Sequence, residues 1–362
     1  MVLPKPIITF ATSKATSKTM ELTCSHTTKR QTTAQTTTII LQKEIPTTTP
    51  NLHVTKTDGL QDNSIMTKRL YILGNGFDLH HCLRTSYCDF AEFLKENNKN
   101  LYETLERYIS FPSSDKNLWS RFEENLANLD AEEILSEHTD TLPNYASENF
   151  EDGDKFVFPN TINEYYQKLT NGLFSEFEAF IRNVDLPKTA FEFKIELDEV
   201  ATFLTFNYTD TLERLYQIDE KQILYIHNSV FYSNEGIVLG HGIDPKNFEE
   251  EKPTPPDGVS DEELESWHEQ HDDYDYSYDT GKETLMQYFK DTYKPSQEII
   301  QRHASFFKSI AHISEVYVLG HSISPVDLTY FDYIVKSIDR NAKWFVSYYD
   351  NQESKRHFET LM

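Results

Sequence analysis

The chain has 362 residues, of which 34 are Lys or Arg and 59 are Asp or Glu, so its formal net charge at pH 7 is −25. This length suffices for one large α/β domain with an insertion or for two modest domains. The charge disfavours binding to nucleic acid or to an anionic membrane, and no apolar run is long enough to span a bilayer. We therefore expect a cytoplasmic protein, and three cysteines without a C-x-x-C pair favour reduced thiols.

Residues 1–65 differ in composition from the rest of the chain. They are rich in Thr and carry seven basic and four acidic side chains. Such a segment buries too little apolar surface to offset its chain entropy, and we expect it to be disordered. Organelle transit peptides share this composition, but we favour a start at Met66, immediately before the first predicted strand. The upstream extension would then not be native.

The elements predicted from residue 66 onward alternate between strands and helices. A strand at 70–73 leads through a glycine turn into helices at 86–97, 101–109, 117–129 and 161–184. The second section comprises strands at 201–206, 222–227, 236–240, 315–319 and 343–348, with helices at 209–217, 295–311 and 325–337. This alternation predicts an α/β fold with a parallel sheet, and the helical block at about 86–190 is expected to be an insertion or cap. Residues 246–280 are acidic and predict a long exposed loop.

Small or polar residues follow five of the predicted strands. The segments are Gly74-Asn75-Gly76, Asn207, His227, Gly240-His241-Gly242 and Gly320-His321-Ser322. In open parallel sheets, ligands bind in the crevice at the carboxyl ends of the strands. The pattern therefore predicts one composite site built from several strand ends.

The glycine turn allows two interpretations. Glycines between a strand and a helix let backbone amides approach a phosphate group. The dinucleotide fingerprint of dehydrogenases requires a further glycine at the position of Leu79, so hydride transfer is disfavoured. The alternative is a tight strand-to-helix turn without a ligand.

The polar residues at the other strand ends also have structural alternatives. Asn207 with Asp210, Ser86 with Asp89, and Ser324 with Asp327 have the spacing of helix capping boxes. His227, His241 and His321 could supply a general base near pH 7, with zinc ligation as the alternative. Glu123, beside the apolar face of a predicted helix, could reach the strand-end crevice or extend into water.

Six segments together resemble the bacteriophage abortive-infection AbiH family. They are LYILGNGFDLHHCLRTSYCDF (70–90), LWSRFEENL (118–126), TFNYTDTLERLY (205–216), YIHNSV (225–230), VLGHGID (238–244) and VLGHSISPVDLTYFDYI (318–334). That family is in turn distantly similar to sirtuin-like domains, which bind NAD in a Rossmann-like fold and hydrolyse it in phage defence. The zinc-binding cysteine module of deacetylating sirtuins is absent, so the resemblance does not imply protein deacetylation.

The resemblance implies roles for particular residues. Asn207 and His227 would be catalytic, with Asn207 holding the nicotinamide ribose or the attacking water and His227 acting as the base. By the resemblance, Gly74, Gly76 and Asp78 would cradle the dinucleotide, and Gly320 and Ser322 would contact its adenosine half. The further candidates for contact with the dinucleotide are Asn75, Asp210, Gly240, His241, His321 and Asp327.

The resulting hypothesis is a phage-defence protein with a Rossmann-like, sirtuin-like core that binds NAD or a related nucleotide and, when triggered by a phage, hydrolyses it to nicotinamide and ADP-ribose. No metal is expected. A metal-dependent nuclease toxin that uses Asp78, Asp210 and histidines is one alternative, and a non-catalytic nucleotide sensor is another. The phage trigger and the oligomeric state stay open.

Overall fold

The computed structural model describes residues 68–112, 117–249, 260, 275–348 and 357, together with the backbone of three strands between residues 7 and 42. The strands are β1 (Ile7–Thr12), β2 (Ser17–Met20), β3 (Gln31–Gln42), β4 (Arg69–Leu73), β5 (Thr202–Thr205), β6 (Ile223–Tyr225), β7 (Glu315–Leu319) and β8 (Lys343–Tyr348).

Five of these strands form a parallel sheet in the order β8-β7-β4-β5-β6. From β4 the chain proceeds outward through β5 and β6, then returns to the other side of β4 for β7 and β8. The strand order therefore reverses between β4 and β7, and in doubly wound sheets such a switch point is where ligands bind. The predicted α/β parallel-sheet fold is confirmed.

The N-terminal strands extend this sheet in the antiparallel sense. β3 pairs with β8, while β1 and β2 pair with β3. Paired backbone over these residues differs from the disorder that composition predicts, and the Thr-rich runs have the β-branched side chains that favour strands. The side chains of this segment lie outside the described residues.

The helices are α1 (Asn75–His80), α2 (Tyr87–Asn97), α3 (Lys99–Tyr108), α4 (Phe122–Asn125), α5 (Ala131–Glu137), α6 (Val157–Gln167), α7 (Leu173–Arg182), α8 (Thr211–Tyr216), α9 (Tyr276–Met286), α10 (Tyr288–Asp291), α11 (Ser296–Arg302), α12 (Ala304–Ser309) and α13 (Leu328–Ser337). The predicted helix at 117–129 is broken into three short pieces, of which α4 is the middle one. The predicted helix at 161–184 begins earlier and contains a π turn at Lys168–Gly172.

One predicted strand is wrong. Residues 236–240 have no strand geometry, although Ile237 and Leu239 are buried. A short apolar run is common to strands and to buried irregular segments, so periodicity alone cannot separate them.

The chain divides into two compact units. The first comprises Met1–Ser86, Ile181–Ile237 and Ser296–Met362 and contains the parallel sheet, whereas the second comprises Tyr87–Phe180 and Val238–Pro295. The helical block predicted as a cap therefore folds together with a later segment of the chain. Most of the predicted loop at 246–280 lies outside the described residues, and its last residues begin α9.

The core of the first unit includes a row of aromatic rings across four strands. Tyr71 of β4 stacks on Phe203 of β5 at 5.3 Å and on Tyr317 of β7 at 5.1 Å, and Tyr317 stacks on Phe345 of β8 at 4.5 Å. Each pair occupies matching register positions. Such cross-strand pairs stabilise the sheet and align the strand ends.

No helix in the described part of the chain combines the length and apolar character needed to cross a membrane. Cys82 is a free thiol. Cys88 is disulfide-bonded, contrary to the expectation of reduced thiols, and its partner lies outside the described residues.

Candidate functional site

Four of the five predicted segments lie at one edge of the sheet in the first unit. Leu73 at the end of β4 is in register with Thr205 of β5 and with Leu319 of β7, while Thr205 is in register with Tyr225 of β6. The segments that follow these aligned ends are Gly74-Asn75-Gly76, Asn207, His227 and Gly320-His321-Ser322. The parallel sheet therefore places them along a common edge.

The fifth segment lies in the second unit. The His241 amide donates to Thr292 O at 2.8 Å, and the Lys294 amide donates to His241 O at 2.8 Å. A Cβ on Gly240, whose φ is +158°, would lie 1.8 Å from Thr292 O. Burial lowers the pKa of His241 to about 4, which keeps the imidazole neutral. The strand expected before Gly240 and His241 is absent from the described residues, and both residues belong to the second unit.

The glycine turn after β4 packs directly on the turn after β7. The Gly74 amide donates to Leu319 O at 3.1 Å, and the Gly76 amide donates to Gly320 O at 2.7 Å. A Cβ on Gly76 would lie 2.7 Å from Gly320 O, and Gly320 itself has φ +64°. These contacts favour the tight-turn interpretation, because neither amide is available to a phosphate group.

Asp78 is the ionisable group that this turn contributes to the interior. Its side chain is 1 % exposed, and the Thr209 hydroxyl donates to its Oδ2 at 2.6 Å. Burial raises the pKa of Asp78 to about 6, and hydrogen bonding from Thr209, Thr211 and Asn207 offsets part of this rise. Among the described residues, no donor of ordinary hydrogen-bond geometry reaches its Oδ1.

Asn207 is buried beside Asp78 and does not cap a helix. α8 begins after Asp210, whose side chain makes no capping bond, and the Asn207 amide proton goes to Thr205 Oγ1 at 3.0 Å. The capping-box interpretation is therefore wrong. A carboxylate only accepts hydrogen bonds, so the side-chain nitrogen of Asn207 faces Asp78. The side-chain oxygen of Asn207 has no donor within the described residues.

Asp327 lies between two histidines. Its Oδ1 is 3.7 Å from His227 Nε2, and its Oδ2 is 3.6 Å from His321 Nε2. The Ile323 amide donates to His321 Nδ1 at 2.8 Å, which leaves the ring proton of neutral His321 on Nε2, facing the carboxylate. Ser324 makes no capping bond to the following helix, and its hydroxyl donates to Asp327 at 3.1 Å. Asp327 is thus oriented toward the histidines and does not complete a capping box.

Aromatic rings surround these histidines. Phe206 lies 5.2 Å from the His227 ring and 4.3 Å from the His321 ring, and it stacks on Phe331 at 5.8 Å. Tyr330 lies 5.4 Å from His227. Apolar surroundings of this kind strengthen the interaction between a carboxylate and an imidazolium.

The remaining predicted residues occupy less central positions. Asn75 Nδ2 donates to Thr85 O at 3.0 Å, and the Thr85 hydroxyl donates to Asn75 Oδ1 at 2.6 Å, which explains Asn75 structurally. Asp210 is half-buried and pairs with Arg214 at 3.4 Å. Ser322 is exposed, and its carbonyl oxygen lies 3.0 Å from His357 Nε2.

The second unit contains a buried charge pair, of which the sequence indicated only Glu123. Lys294, 1 % exposed, binds Glu123 Oε2, and the Tyr87 hydroxyl donates to Glu123 Oε1 at 2.7 Å. Glu123, whose side chain is 12 % exposed, therefore does not extend into water. Lys294 went unnoticed because an isolated lysine in a polar segment carries no signal of burial. Thr209 and Thr211, which hold Asp78, were missed for the same reason.

No group of three or more His, Cys, Asp or Glu in the described ranges could hold a metal ion.

A family model for bacteriophage abortive infection AbiH matches residues 70–348. No curated protein and no solved structure matches the chain.

Proposed function

The chain belongs to the bacteriophage abortive-infection AbiH family, which implies a role in phage defence, and we propose that its first unit carries out this role by binding NAD and hydrolysing it to nicotinamide and ADP-ribose. The observation that carries the proposal is the cluster of buried polar side chains at the sheet edge, next to the switch point between β4 and β7. Two of these side chains, Asp78 and Asn207, have an oxygen without a donor among the described residues. Buried polar groups are normally satisfied, so incomplete satisfaction supports a ligand site.

The proposed reaction needs a water, a base and a site that excludes bulk solvent. The glycosidic bond of the nicotinamide ribose breaks, and its electron pair neutralises the pyridinium nitrogen as nicotinamide leaves. Water forms the new bond to the ribose carbon and releases one proton, which His227 accepts. Asp327, 3.7 Å from His227 Nε2, offsets the charge of the resulting imidazolium.

Asn207 is assigned to positioning the ribose or the attacking water. Its side chain is 7 % exposed and is held between the end of β5 and Asp78. A preorganised amide at the reacting centre lowers the barrier because no reorganisation is needed during the reaction.

The test is to incubate the purified full chain with NAD and to follow nicotinamide release by chromatography, with NAD also measured in infected cells. His227→Ala and Asn207→Ala should each reduce both signals about a hundredfold or more. Asn341→Asp, an exposed site before β8, is the control and should retain them. Binding of NAD without loss of NAD in either assay would favour the sensor alternative, and an absence of binding would refute the proposal.

A further inference from the structure

Two buried oxygens of the sheet-edge cluster have no donor among the residues that the structure describes. They are Oδ1 of Asp78 and Oδ1 of Asn207, and the two side chains are 1 % and 7 % exposed. Leaving a buried acceptor unsatisfied costs about 1–3 kcal/mol, and a charged acceptor costs more. Both positions are held in place, because Thr209 binds the other oxygen of Asp78 and Thr205 binds the Asn207 backbone.

We propose that Asp78 and Asn207 are specificity-determining residues that accept hydrogen bonds from a planar amino group of the ligand. In a nicotinamide adenine dinucleotide this chemistry occurs twice, in the carboxamide of nicotinamide and in the exocyclic amino group of adenine. The inference rests on the proposed function and adds to it the part of the ligand that this pair recognises.

The chemistry of the pair disfavours anionic and apolar ligand groups. A phosphate or carboxylate would place a second anion beside Asp78, in surroundings where like charges repel strongly. An apolar group would leave both oxygens unsatisfied. An amino group on an aromatic ring or a carboxamide supplies N–H donors without a charge that needs a counterion. Such a site should bind NAD much more tightly than an analogue without the amino group, because that analogue leaves buried acceptors unpaired.

The experiment compares three dinucleotides by calorimetry at pH 8, using the full chain with His227→Ala to prevent turnover. They are NAD, the analogue with a carboxylate in place of the carboxamide, and the analogue with hypoxanthine in place of adenine. The analogue that lacks the recognised amino group should bind about a hundredfold or more weakly than NAD, and the other should bind within about threefold of NAD. Which analogue fails identifies which end of NAD the pair holds, and failure of the hypoxanthine analogue would remove Asn207 from the proposed reacting centre.

A second variant tests the same recognition by changing the protein in place of the ligand. Asp78→Asn, added to His227→Ala, replaces an acceptor by a group that can donate, so the rejected analogue should recover at least tenfold while NAD weakens. Asp219→Asn removes a carboxylate that caps a short surface turn in the same unit and should change neither value. Circular dichroism confirms that each variant is folded.

The outcomes separate this inference from the proposed function. If NAD binds and both analogues bind equally well, or if Asp78→Asn leaves the preference unchanged, the two oxygens do not recognise the ligand and the inference is wrong, whereas NAD hydrolysis would still stand. If NAD does not bind, both the inference and the proposed function are wrong.

Discussion

One buried charge pair of the second unit and one buried polar pair of the first unit differ in how fully they are hydrogen-bonded. In the second unit both oxygens of Glu123 have donors, from Lys294 and from the Tyr87 hydroxyl. In the first unit Asp78 and Asn207 each keep an oxygen for which the described residues supply no donor. A buried charge that is fully paired can be explained by the fold alone, whereas an incompletely paired one costs stability that function must justify. The difference distinguishes a structural polar network from a candidate ligand site.

The largest expected effect tests whether the two glycine turns at the site of the first unit are rigidly packed on each other. Gly320→Ala introduces a Cβ 2.2 Å from Phe77 N at a residue with φ +64°. Backbone strain and displacement of the glycine turn should together reduce the free energy of unfolding by about 4 kcal/mol, measured by urea denaturation. Gly153→Ala, where no atom lies within 4 Å of the new Cβ among the described residues, should change it by less than about 1 kcal/mol. Equal effects would show that the two turns can separate freely.

The second test concerns the paired network of the second unit. Lys294→Met removes the cation that pairs with the buried carboxylate of Glu123, and the free energy of unfolding should fall by about 3–5 kcal/mol. Adding Glu123→Leu removes the stranded charge and should restore most of the loss. Lys99→Met, at a lysine whose side chain is 75 % exposed, is the control and should be nearly silent. If the double variant is as unstable as the single one, the pair contributes more than charge neutralisation.

The third test concerns Asn207, in the incompletely paired cluster of the first unit. Asn207→Ala should reduce turnover of NAD about a hundredfold, comparable to the loss of one preorganised donor. Thermal unfolding should reveal a loss of about 1–3 kcal/mol, because buried Asp78 loses the hydrogen bond from Asn207. Alanine is preferable to aspartate here, since a carboxylate would face Asp78 and destabilise the fold. A large loss of stability with unchanged turnover would make Asn207 a structural residue.

The smallest expected effect is a gain in stability with a defined pH dependence. The pKa of Asp78 is raised to about 6 from 3.8, so this carboxyl favours folding fully below pH 3.8, and the contribution is lost as the pH rises through 6. Asp78→Asn should therefore be more stable than the parent at pH 8, by about 2–3 kcal/mol, and the difference should vanish near pH 4. Denaturant titrations at several pH values measure it. If the difference in stability between variant and parent is constant across this pH range, the pKa of Asp78 is the same in the folded and unfolded states.

Several features of the fold and of the site were predictable from local sequence. β4, β5, β7 and β8 lie within about one residue of their predicted positions, because buried parallel strands have continuous apolar runs bounded by glycine or polar residues. Those boundaries also placed Asn207, His227 and His321 at one edge of the sheet. The strand predicted at 236–240 failed because its apolar residues are buried without strand pairing.

The sequence by itself determined the parallel α/β class, the strand ends that carry polar residues, and membership in the abortive-infection family. Only the tertiary structure decided that Gly76 packs on Gly320, that Asp327 lies between two histidines, and that His241 belongs to the second unit. The physical reason is the range of the interactions. Strand and helix formation follows from residues a few positions apart, whereas hydrogen-bond satisfaction of a buried side chain depends on partners brought together from distant parts of the chain, such as Asp78 and Thr209.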